Sequence, residues 1–343
     1  MQAYLHIATP QEIQDITAVR LHEEKLGQHV QTCKSTDAER LSESLKASDA
    51  RYVVMGIPED IGVRANGGRA GAASCWNAAL RSLLNIQHND FLHGNDLLVL
   101  GYLDCGELME EAAKDGADLR ELVSRIDTVL SAVVQTVIAS GKELIVIGGG
   151  HNNSYGCLRG TAQALGHAVH CINADAHSDY RPKEGRHSGN GFRYAREENY
   201  LDRYAILGLH ESYASQAVLS QLRADEGIQF SLFEDVFVRK NMNFEQVLNE
   251  HIAFVAGNDC GVELDLDAIE NMASSAISPT GMTANDARRF VHRCAETLSV
   301  KYLHLAEGAP SLSGIKDDQR VGKLIAYLVA DFIKARNTYH TKK

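Results

Sequence analysis

Three short polar clusters carry the residue types that bind cations and move protons. The first is Gly148-Gly149-Gly150-His151, the second Asp175-Ala176-His177-Ser178-Asp179, and the third Asp265-Leu266-Asp267. In an extended segment, residues two apart point the same way. Asp175, His177 and Asp179 are therefore expected to converge on one point, and so are Asp265 and Asp267. Four carboxylates gathered this closely repel one another unless cations compensate. Imidazole mixed with carboxylate suits Mn, Zn, Fe or Ni, and the oxygen-rich majority leans toward Mn. With two divalent ions the four aspartates balance the metal charge and leave a bridging hydroxide as nucleophile. Two ions roughly 3.5–4 Å apart can make hydroxide near neutral pH and polarise the group attacked.

Each cluster alone has a plainer reading. A histidine after a glycine run is commonly a turn or core residue. A glycine run can cradle phosphate, but no Gly-Lys-Ser/Thr follows this one. Asp-x-Asp also occurs in nucleotide-sugar enzymes, a reading that leaves both histidine clusters unexplained. Asp-x-His-x-Asp directly after an apolar run is sharper, because it sets three ligand types where a strand is normally apolar.

The elements that must position these clusters alternate along the chain. Strands are expected at Tyr52–Ile57, Leu97–Leu103, Leu144–Ile147, Val169–Ala174, Tyr204–Leu209, Gln229–Leu232, Gly261–Leu266 and Lys301–Ala306. Several are almost wholly apolar, as strands covered on both faces are. Leu119, Leu122, Ile126, Val129, Val133 and Val137 recur at helical spacing, and Gly141 supplies a stop. Val321, Leu324, Ile325, Leu328 and Phe332 make a second such stripe. The alternation predicts an α/β fold, a three-layer sandwich around a mostly parallel sheet of about eight strands. Ligand sites in such sheets lie beyond the carboxyl ends of the strands, where all three clusters fall. Residues 1–50 are polar and weakly patterned and read as an N-terminal helical extension, leaving 51–343 as a single catalytic domain.

Composition excludes several classes. The formal net charge of −11 argues against a nucleic-acid partner. The longest apolar runs are too short to span a bilayer, and no basic region followed by an apolar run opens the chain. Seven scattered cysteines without a CxxC pair read as free thiols in a reducing cytoplasm. Asn152-Asn153-Ser154 matches a glycosylation acceptor, and without a secretory signal it reads as chance.

At these residues the chain resembles the arginase-like ureohydrolases, whose pattern is Gly-Gly-x-His, Asp-Ala-His-x-Asp, Asp-x-Asp and a late Glu-x-x-Pro. Here the last is Glu307-Gly308-Ala309-Pro310, and the early Gly56-Ile57-Pro58-Glu59-Asp60-Ile61-Gly62 and Asn66-Gly67-Gly68-Arg69 segments are also similar. The resemblance runs from about residue 50 to residue 330. It implies two Mn2+ per chain, other divalent ions being possible. His151, Asp175, Asp179 and Asp265 would hold one ion; His177, Asp175, Asp265 and Asp267 would hold the other. It also implies that Asp179 orients the hydroxide, that Glu307 accepts hydrogen bonds from amidine or guanidine nitrogens, and that the chain forms a homo-oligomer, a trimer or hexamer.

Within that family the substrate region looks most like the formimidoylglutamases, which hydrolyse N-formimidoyl-glutamate to glutamate and formamide in histidine breakdown. Arginases carry a proton-shuttling histidine in Ser-Gly-Asn-Leu-His; this chain has Ser188-Gly189-Asn190-Gly191-Phe192. Where arginases use Asn for the α-carboxylate, this chain has Arg181, a fork suited to a carboxylate. Arg193 is a second candidate anchor and Arg186 a third, with Ser188 and Asn190 as further substrate contacts. The chain departs from that subfamily at Asn190-Gly191, usually Thr-Pro or a similar pair, and in carrying Asn152-Asn153. Both departures are expected near the substrate pocket. Competing readings are another guanidino substrate (arginine, agmatine or guanidinobutyrate) and an inactive oligomeric protein on the same fold. Arg181 and the missing shuttle weigh against arginine, a cationic anchor weighs against agmatine, and the intact ligand types weigh against inactivity.

Overall fold

The computed structural model describes residues 4–34 and 40–342. Ten strands form one sheet: β1 (Leu5–Ile7), β2 (Gln31–Thr32), β3 (Tyr52–Gly56), β4 (Leu97–Leu103), β5 (Glu143–Ile147), β6 (Val169–Ala174), β7 (Leu201–Leu209), β8 (Ile228–Leu232), β9 (Asp259–Asp265) and β10 (Ser299–Ala306). Their order is β1-β4-β3-β5-β10-β9-β6-β7-β8, with β2 also on β4. Every pairing is parallel except β1 with β4. All eight expected strands are present.

The central strands are mostly apolar because they feed two cores. Along β3, Tyr52 and Val54 enter one cluster while Val53 and Met55 enter the other, as a side-chain period of two requires. The first core is covered by the helices Cys75–Leu84, Phe244–Val255, Ala284–Thr297 and Arg320–Lys342, the second chiefly by Leu119–Ala139 and Asn153–Leu165. Burying each Leu, Ile or Val side chain contributes roughly 1.5–3 kcal/mol, so the layered packing dominates stability.

The Leu119–Ala139 helix starts where the Asp118 side chain accepts from the amides of Arg120 and Glu121, and Gly141 follows it with φ +78°. It is the one helix among the described residues long and apolar enough to cross a membrane, by length and composition alone. Its stripe, from Leu122 to Ile138, instead fills the second core. The sequence runs looked too short because its apolar residues are spaced around a helix.

The described residues of this stretch, 4–34 and 40–50, differ from the expected helical extension. They hold two short helices, Pro10–Ile16 and Leu41–Ala47, but also β1 and β2, which lie end to end on β4. Leu41 and Leu45 are buried in the second core. The segment therefore completes the sheet edge. Strands of two or three residues are too short to show periodicity.

Candidate metal centre

The sheet order brings together clusters far apart in the chain. β5, β10, β9 and β6 are consecutive neighbours, and their carboxyl ends deliver His151, Glu307, Asp265 with Asp267, and Asp175 with His177 and Asp179. The β5 end turns through Gly148 (φ +84°) and Gly149 (φ +72°), a backbone region open mainly to glycine. A Cβ on Gly149 would stand 2.3 Å from Asn153 Nδ2. This turn is held by the buried Glu59, whose carboxylate accepts from the Gly150 amide at 3.1 Å, Asn152 Nδ2 at 3.2 Å, Asn153 Nδ2 at 2.7 Å and the Ile61 amide at 2.7 Å. Asn152 and Asn153 are thus loop supports, not pocket residues, and fully buried Asn152 presents no glycosylation acceptor.

His151 Nδ1 lies 3.1 Å from Asp175 Oδ2, 2.9 Å from Asp179 Oδ2 and 3.2 Å from Asp265 Oδ2. Asp175 turns its other oxygen, Oδ1, to His177 Nδ1 at 3.5 Å, and Asp267 Oδ2 is 4.0 Å from the same nitrogen. Two groups capable of holding an ion result: His151, Asp175, Asp179 and Asp265, and His177, Asp265 and Asp267. Asp265 belongs to both, and the split contacts of Asp175 span the two.

The convergence does not come from extended chain. β6 stops at Ala174, and Asp179 adopts a left-handed φ of +45°. Asp175 Oδ1 accepts from the His177 amide at 2.7 Å, and Asp265 Oδ1 from the Asp267 amide at 2.7 Å. Both clusters are tight turns closed by their own first aspartate. Glu307 is likewise left-handed, at φ +65°. Non-glycine residues in this region cost roughly 1–3 kcal/mol each and concentrate at functional sites.

The electrostatics call for cations. Burial, then repulsion from Asp267 and Asp175, raises Asp265 well above the usual carboxylate range. Burial, then Asp175, raises Asp179. Burial opposes charge on His177, but the hydrogen bond and charge of Asp175 pull it up to about 10. Glu307 is pushed up to about 8 by burial and by Asp267. Protons can compensate the charge of this cluster, and divalent ions would do so in their place. His151 Nδ1, buried and without a hydrogen-bond partner among the described residues, fits a ligand atom.

A cavity of about 540 Å³ opens above this centre, with His177, Asp179, Asp265, Asp267 and Glu307 at its base. Its wall holds Asn66, Arg181, Ser188, Tyr213 and Ser275. Arg181 is half exposed at the mouth; Nη1 donates to Asn66 Oδ1 at 2.7 Å and Nη2 to Glu184 Oε1 at 2.6 Å. Ser188 accepts from Asn66 Nδ2 at 3.2 Å.

The other expected substrate contacts lie elsewhere. Arg193 does not line the cavity; it donates to Glu197 and Gln221 and stacks 5.3 Å over Tyr180. Asn190 is fully buried, and its Oδ1 accepts from Arg186 Nη1 at 2.5 Å. Arg186 is itself buried in a pair with Asp127, with Nε donating at 2.8 Å. These residues brace the 186–190 loop. Phe192 is buried edge-on to His151 at 5.2 Å and stacked on Tyr204 at 4.3 Å, and its ring does not line the cavity. Asn66 and Tyr213 were not foreseen as wall residues. Asn66 sits before the turn signal Gly67-Gly68; Tyr213, stacked on His177 at 4.9 Å, carries no signal in its sequence surroundings.

The Arginase family model matches residues 50–333. A formimidoylglutamase of Enterobacter sp. (strain 638) is 28% identical over 302 residues, 85% of this chain and 89% of that protein. The crystal structure of Trypanosoma cruzi formiminoglutamase with Mn2+2 superposes with TM-score 0.67 at 25% identity, covering 86% of this chain and 97% of that one. The Bacillus subtilis formimidoylglutamase shares the fold, with TM-score 0.71 at 17% identity over 94% of each chain. Four strand ends assembling a buried histidine–aspartate centre, together with a family match over most of the sequence, establish that this chain belongs to the arginase family.

Proposed function

We propose that this arginase-family hydrolase is a manganese-dependent formimidoylglutamase, cleaving N-formimidoyl-L-glutamate to L-glutamate and formamide. The observation that carries the reading is one cavity with a buried carboxylate centre at its base and a guanidinium, Arg181, at its mouth. That arrangement suits a substrate with an amidine at one end and carboxylates at the other. Two divalent ions, held by His151, Asp175, Asp179 and Asp265 and by His177, Asp175, Asp265 and Asp267, would lower the pKa of water and polarise the carbon attacked. Asp179, at the base of the cavity, takes a proton from the attacking water. Glu307 Oε1 is engaged by the His151 amide at 2.6 Å. Its Oε2 is buried without a hydrogen-bond partner among the described residues, and it accepts the N–H of the formimidoyl group. Arg181 binds a glutamate carboxylate, and Ser188 and Asn66 line its approach. The water oxygen bonds to the formimidoyl carbon, the C–N bond to the glutamate nitrogen breaks, and the proton taken by Asp179 passes to that nitrogen, which leaves as the amine while the remaining fragment is formamide.

Seven free, buried cysteines support a reducing compartment, the cytoplasm. Family resemblance supports a homo-oligomer, a trimer or hexamer. The deciding experiment loads purified protein with Mn and offers formimidoylglutamate, arginine, agmatine and guanidinobutyrate, with formamide, urea and ammonia assayed separately. Close to two Mn per chain and preferential formamide release are expected. Efficient urea release from arginine would overturn the substrate assignment; full activity after exhaustive chelation would overturn the metal assignment.

A further inference from the structure

Two charged-type residues in the middle of the sheet have no part in the reaction described above. Glu263 on β9 and His304 on β10 are register partners on adjacent parallel strands. Both are fully buried, where a central strand is normally apolar. Glu263 lies two residues before Asp265, on the same strand face.

Glu263 accepts hydrogen bonds from two side chains, and a third nitrogen stands beside it: His151 Nε2, buried and without a hydrogen-bond partner among the described residues. Oε1 accepts the Tyr302 hydroxyl at 2.9 Å, and Oε2 accepts from His304 Nδ1 at 2.6 Å. The same Oε2 lies 3.4 Å from His151 Nε2. His304 Nε2 faces the Gly148 carbonyl at 3.3 Å, the first residue of the turn that carries His151. The contacts therefore close a ring: His151, Glu263, His304, and back to the His151 loop. A neutral imidazole has one lone pair. If Nδ1 of His151 gives it to an ion among Asp175, Asp179 and Asp265, the proton sits on Nε2, and Glu263 is the acceptor facing it.

We propose that Glu263, held by His304 and Tyr302, is a positioning residue that fixes the His151 ring with Nδ1 toward the cation site and Nε2–H toward the sheet. This rests on reading His151 as a metal ligand. Partners of this kind orient a ligating histidine, set its tautomer and raise its basicity. The rival reading, that His151, Glu263 and His304 hold a third ion, conflicts with the 2.6 Å between Glu263 Oε2 and His304 Nδ1. Two donors at right angles around one small ion stand about 3 Å apart.

The test compares the full chain with Glu263→Gln and Tyr302→Phe, measuring Mn2+ stoichiometry and affinity by equilibrium dialysis and the EPR signal of free Mn2+. Circular dichroism and melting checks confirm the fold. The parent should bind two ions. Glu263→Gln should weaken one of them about 10- to 100-fold and leave the other within about threefold. Tyr302→Phe should weaken the same ion by a smaller factor, and it decides the question alone if Glu263→Gln does not fold. Unchanged affinities in folded variants would overturn the tether while leaving the metal centre intact. A third ion in the parent, lost in Glu263→Gln, would overturn it in favour of an ion site. A parent that binds no Mn would remove the metal reading of His151, and this inference with it.

Discussion

Arg181 approaches the cavity with its fork partly engaged. Asn66 and Glu184 each take one N–H, which fixes the guanidinium plane and leaves three donors for a carboxylate. Its half exposure means that solvent screens the pairing. Arg181→Ala is expected to lower kcat/KM for formimidoylglutamate about 10- to 100-fold with metal content unchanged, and Arg181→Lys to lower it less. A change within threefold, measured by steady-state formamide release, would remove Arg181 as the anchor. At this scale the sequence spoke clearly where residue type alone was informative. His151, Asp175, His177, Asp179, Asp265, Asp267 and Glu307 all converge, because polar residues directly after apolar strands have few other places to go. Arg193 and Asn190 failed as pocket residues because helix direction and the buried Arg186–Asp127 pair decide where they point, and neither is written locally.

The helix that follows His151 is set by close packing. Asn153–Leu165 lies against Leu119–Ala139 so tightly that a Cβ on Gly160 would stand 2.5 Å from the Ser131 carbonyl oxygen. Backbone cannot yield as a side-chain tip can. Gly160→Ala should therefore destabilise the fold by about 1–3 kcal/mol despite alanine's better helix propensity. Denaturant midpoints would check this, and a stabilised variant would contradict the packing argument. Helices and central strands were legible because each repeats an apolar period over enough residues to be seen. The left-handed turns at Asp179 and Glu307 were not, since the residue that takes the left-handed conformation is in each case a carboxylate and not a glycine.

For the whole molecule, strand order is the property that sequence did not supply. The alternation predicts a parallel sheet but not that β10 lies between β5 and β9. That insertion has a consequence for how the protein is made. All six candidate ligands lie before residue 298, so each of them is synthesised before β10 begins at Ser299. Yet His151, beyond β5, and the aspartates, beyond β6 and β9, belong to two half-sheets that only β10 joins. A chain ending at residue 298 should consequently retain no more than weak Mn binding, measured by metal content after dialysis, although no ligand is missing. Two ions held at parental affinity would show that the halves meet unaided. Because the pairing that closes the sheet spans more than 150 residues, from Ile147 to Leu305, assembly is expected to be slow relative to local helix formation. Metal capture at this centre is then expected to follow the docking of β10, so that cellular metal supply would act on the closed sheet rather than on its open halves.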